Sequence, residues 1–126
     1  MSDQFILQTI WREKGQLRFL VESEGVSWKL KARELSDGDL PIESALTFAE
    51  SIFGPESVCT LWKLGLSKSA VQTTHVFCLD TETIEGFEGT AELQGMSWVE
   101  EEEFYRLAPK EWSPLFEKIR QRGLSK

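Results

Sequence analysis

Apolar and polar positions along the chain alternate in short runs, broken once by a long three-and-four spacing. "QFILQTIWRE", with Phe5, Leu7, Ile10 and Trp11, predicts a strand. Lys-Gly-Gln around Gly15 predicts a hairpin-type turn, and "LRFLVESE" a second strand. The chain turns again at Gly25, and "WKLKA" forms a short third strand. "RELSDGDLP" reads as a loop with its turn signal at Asp37-Gly38. Ile42, Ala45, Leu46, Ala49, Ile52 and Phe53 then recur at helical spacing and predict one apolar stripe. Pro41 suits the first helical turn, Asp39 just before it favours the helix N-terminus, and Gly54-Pro55 ends the helix.

Beyond the helix, "SVCTLWKLGL" and "TTHVFCLDTE" predict strands joined by the polar "SKSAVQ". "TIEGFEGTAELQG", rich in glycine and acids, predicts an exposed loop. "MSWVE" is a short strand, "EEEFYRLA" starts a helix with acids where its dipole favours them, and "SPLFEKIRQRG" is a last amphipathic helix. Pro109 and Pro114 bracket the short "KEW" between these helices. Strands around single helices imply an α/β architecture, a mixed β-sheet between helices. The length, 126 residues, fits a single domain over 1–126.

Charge narrows the function classes. A net charge of -7 argues against nucleic acid as a partner, because such binding needs a basic surface. No apolar run approaches the ~20 residues of a membrane span. The N-terminus lacks the basic start and apolar centre of a signal peptide, so a reducing, cytoplasmic setting is expected. Cys59 and Cys78 lie in apolar runs and read as buried thiols; with one histidine they make no zinc pattern.

Residues 28–54 carry the candidate chemistry: a short strand, a loop, an acid beside a glycine, then the amphipathic helix. Trp28, Leu30, Gly38-Asp39, Pro41, Glu43, Ala45, Leu46 and Gly54 fall, without a gap, on a pattern that resembles the box of the Nudix family of nucleoside-diphosphate-linked hydrolases. "THVFCLD" looks like that family's central strand, and "MSWVEEEEFYRL" like its late strand-to-helix turn. The resemblance implies a Nudix-like α/β/α sandwich. It also implies where catalysis would sit, and there the residues depart. Lys31, Ala32 and Arg33 stand where the family has Pro-Gly-Gly. Thr47 and Phe48 stand for Arg-Glu, and Ser51 and Ile52 for Glu-Glu. Asp39 alone keeps an acid at a box position.

The family's metal ligands and base are those helix glutamates, so no catalytic residue and no metal ligand carries over. Hard cations such as magnesium take oxygen ligands in fixed geometry, usually carboxylates. At ~100° per residue, Thr47, Phe48, Ser51 and Ile52 share one broad side with Ser44. That side presents hydroxyls and hydrocarbon. The leading expectation is a catalytically silent Nudix-like protein that binds a nucleotide-type small molecule, a protein partner or a second copy of itself, with no cofactor. Its candidate ligand contacts are Lys31, Arg33, Asp39, Glu43, Thr47, Ser51 and His75. Lys31 and Arg33 either replace the metal as an anion contact or are exposed cations facing Glu34 and Asp37. His75 is either a base or stacking group or a packed strand histidine. The alternative is a divergent hydrolase holding Mg2+ at a shifted site of Asp39, Glu43, Glu50 and a loop glutamate from Glu85, Glu88 or Glu92. Trp28 and Trp98 are expected in the core, and Trp112, beside prolines, is either an exposed contact or a cover on the sheet.

Overall fold

The central strand, β1 (Ser2–Glu13), is apolar on both sides over its middle, the pattern of a strand covered on both faces. The structure, a computed structural model, describes residues 2–13, 16–24, 27–29, 32–54, 61–81, 95–108 and 110–124. Lys31, Cys59, the predicted loop 83–94 with Glu85, Glu88 and Glu92, the turn at Gly15, Gly25, and the side chain of Trp28 lie outside what is described. Following β1 are β2 (Gln16–Glu24), β3 (Ser27–Lys29), β4 (Arg33–Glu34), α1 (Pro41–Phe53), β5 (Leu61–Lys68), β6 (Gln72–Asp80) and β7 (Met96–Glu100). Then come α2 (Glu101–Leu107), a 3-10 turn (Lys110–Trp112) and α3 (Ser113–Leu124). Among these residues the strands form one seven-stranded mixed sheet. β4 is a correction to the expected loop: Arg33 and Glu34 pair with Phe5 and Gln4 of β1, which supplies partners that the local sequence does not advertise.

β1 runs parallel to β6, from Ser2 opposite Gln72 to Ile10 opposite Asp80, and β6 is antiparallel to β5. One face of this sheet buries Phe5, Phe77 and Leu79 beneath Ala45 and Ala49 of α1. The other buries Ile6, Ile10, Phe19, Val76 and Cys78 beneath α2 and α3. There Phe104 of α2 stacks on Phe19 at 3.8 Å and meets Phe116 of α3 edge-on at 5.0 Å. Trp112 joins this core at 8% exposure, which decides for the covering role over the exposed contact. The 3-10 turn carries its ring inward between the helices, where a large aromatic contributes most. The α1 stripe is buried at Ala45, Ala49 and Ile52, while Ile42 in its first turn stays 41% exposed.

Two irregularities shape the sheet. Pairing of β5 with β6 jumps from Lys63 to Gly65, leaving Leu64 as a bulge residue. The Leu64 carbonyl accepts a hydrogen bond from Lys118 Nζ at 2.9 Å, so α3 satisfies what the bulge leaves open. More important for the site, β1 and β2 pair only over residues 10–13 and 16–19 and then part. Farther along, β1 takes β4 on that edge and β2 takes β3. Gln8 lies in the resulting split, 2% exposed, and its side-chain amide donates to the Leu20 carbonyl at 2.9 Å and the Thr9 carbonyl at 3.0 Å. Among the described residues no helix is long and apolar enough to cross a membrane.

Candidate functional site

The open end of this split lies between β2, β4 and α1. β4 projects Arg33 from its pairing with Phe5, and β2 supplies Glu22 beyond the point where it leaves β1. Arg33 donates through both terminal nitrogens to both oxygens of Glu22, at 2.7 and 3.1 Å. Its guanidinium carbon lies 3.8 Å from the centre of the Phe48 ring. The Phe48 ring in turn meets Phe5 edge-on at 6.3 Å. A forked ion pair whose cation also covers an aromatic face has a specific geometry, because guanidinium matches the carboxylate fork and is weakly hydrated. About a quarter of each charged side chain remains exposed, 27% for Arg33 and 24% for Glu22. The exposed cation facing Glu34 and Asp37 is therefore not what forms: Arg33 reaches Glu22, across the split.

Beside this cluster, an open cleft of about 500 Å³ runs along α1. Gly38 and Asp39 of the loop and Glu43, Thr47, Phe48 and Ser51 of the helix form its walls. The cleft thus gathers four of the predicted contacts, Asp39, Glu43, Thr47 and Ser51. Arg33 stands next to it, behind Phe48. His75 is elsewhere: it shares the α1 face of the sheet with its register partner Phe5, and its Nε2 lies 3.5 Å from Asp3 Oδ2. Lys31 is outside the described residues. Sequence reasoning missed Glu22 and Gln8. An acid and an amide inside apolar strands are the only local signals, and neither points to its partner.

Among the described residues the donor set along α1 does not suit a divalent cation. Ile52 is buried at 7%, facing Leu20 and Met96. Phe48 offers a ring, and that ring is covered by a cation. The Ser51 hydroxyl donates to the Phe48 carbonyl at 2.6 Å, as helix hydroxyls do when they back-bond to their own turn. Asp39 accepts from the Ser36 backbone N–H at 2.9 Å, which closes the loop on itself. Among the described residues no three acids, histidines or cysteines group to hold a metal, including Asp39, Glu43 and Glu50. Hard cations need several oxygen donors at once.

No family model and no curated protein matches this chain. Solved structures do. A mutT/nudix family protein from Listeria innocua superposes with a TM-score of 0.68 at 14% identity, over 99% of this chain and 98% of that one. A C. elegans Ap4A hydrolase in a binary complex superposes at 0.62 and 14% identity over 100% of both chains, and a second C. elegans Ap4A hydrolase structure at 0.57 and 12%, over 96% of this chain and 97% of that one. The fold is therefore Nudix-like, an α/β/α sandwich around a mixed sheet.

Proposed function

We propose that this protein is a non-catalytic Nudix-fold binder whose cleft along α1 takes a nucleotide-type small molecule. One observation carries the reading: the Arg33–Glu22 pair lies on Phe48, at the box position where a hydrolase of this fold presents a metal-holding glutamate. A helix with hydroxyl and hydrocarbon groups along that side has no means of neutralising a diphosphate in attack. The cleft volume lies within the usual range for small-molecule sites, ~300–1,000 Å³. Its described walls hold two carboxylates, Asp39 and Glu43, and no cation. They favour the hydrogen-bond donors of a nucleoside, its amino and hydroxyl groups, over its phosphates.

The test is turnover. Pure protein is incubated with magnesium or manganese and a panel of nucleoside diphosphate derivatives, including a dinucleoside tetraphosphate on account of the C. elegans neighbours. No hydrolysis is expected, together with ligand-observed NMR binding that tracks the nucleoside moiety. Hydrolysis that survives purification and disappears on Asp39→Asn or Glu43→Gln overturns the proposal. Those two acids, both in the cleft wall, are what favours the second reading, a divergent hydrolase with a relocated Mg2+ site. In that case magnesium raises the melting temperature of the wild type, and the same two substitutions abolish the rise.

A further inference from the structure

We infer that Arg33 is a built-in cation that shuts metal out of this site, so that the loss of the helix glutamates is only half of its inactivation. The inference builds on the non-catalytic reading above and adds a residue outside the helix. Arg33 occupies a box position where the resembled pattern has glycine. Its guanidinium centre is 3.8 Å from the ring of residue 48, so a carboxylate placed at 48 emerges against a fixed positive charge and pairs with it. The same guanidinium engages both oxygens of Glu22, the acid that β2 places beside it. Arg33 thus removes a potential oxygen ligand as well as adding repulsion. Its backbone is held in register with Phe5, so the side chain swings away only by breaking both the ion pair and the ring contact.

Restoring carboxylates alone therefore does not restore metal binding. The experiment compares F48E/S51E with R33Q/F48E/S51E, each titrated with Mn2+ and read by the electron paramagnetic resonance signal of the free ion. Ser51 is exposed and Phe48 half-buried, so both positions accept glutamate more readily than Ile52 does. F48E/S51E is expected to leave the free-ion signal undiminished. With Arg33 gone, manganese is bound at least ~10-fold more tightly, through glutamates at 48 and 51 and the released Glu22. Adding E22Q to the triple variant then weakens binding again. If F48E/S51E binds manganese as tightly as the triple variant, or the triple variant binds no more tightly than the double, Arg33 is not the block. Circular dichroism checks the fold of each protein, and R33G replaces R33Q should the glutamine variant fail to fold. Turnover by the wild type bears on the proposed function alone; the manganese comparison bears on Arg33.

Discussion

At the scale of single residues, three side chains from three separate elements decide what this site can do. Arg33, Glu22 and Phe48 are linked through the cation: the ion pair holds the guanidinium, and the guanidinium covers the ring. A double-mutant cycle with Glu22→Gln and Arg33→Met is expected to give a coupling energy of ~1 kcal/mol, read from urea denaturation midpoints. It stays modest because both side chains are partly exposed and water screens them. Ile52 makes the complementary point. It stands where the resembled pattern has a glutamate but is 7% exposed among Leu20 and Met96. Ile52→Glu is expected to destabilise the fold by ~3 kcal/mol or more, because it buries a charge without a partner. A thermal melt that leaves this variant as stable as the wild type shows that the position is still free to hold a ligand.

The elements fit through their irregularities. At the β5 bulge, Gly65 has φ +155°, and a Cβ there would stand 2.7 Å from Leu115 Cδ2 on α3. Gly65→Ala should cost ~1–3 kcal/mol, and combined with Leu115→Ala the loss should be less than the sum of the two, since the second change removes the clash. The split between β1 and β2 depends on Gln8, whose amide serves the Leu20 carbonyl where strand pairing has stopped. Gln8→Leu keeps the bulk but removes that donor. A loss of ~1–3 kcal/mol in chemical denaturation is expected, the usual cost of stranding a buried carbonyl.

For the whole molecule, the sheet takes α1 on one face and α2 and α3 on the other, and each face has its own apolar clusters. On the proposed non-catalytic reading, its folding needs no ion along α1. Magnesium at millimolar levels, or a chelator, is therefore expected to leave the melting temperature of the wild type unchanged. An ion present at a hundredfold excess over its dissociation constant would instead add ~2.7 kcal/mol, a shift of a few degrees for a chain of this size. Such a shift would favour the relocated metal site over the binder.

Periodicity along the chain was enough to place α1, α2, α3 and the main strands, because each must turn a local stripe or alternation of apolar residues toward the core. The same local logic, set beside the resembled pattern, pointed to the Nudix-like frame. It could not find β4, whose two residues become a strand only by borrowing the edge of β1, nor choose between a surface and a core place for Trp112. Above all it could not pair Arg33 with Glu22. They meet because β1 and β2 part and bring β4 opposite the far end of β2, a geometry set by pairings between distant segments. Which acid neutralises a cation is decided by proximity in space, and the order of residues alone holds no record of that distance.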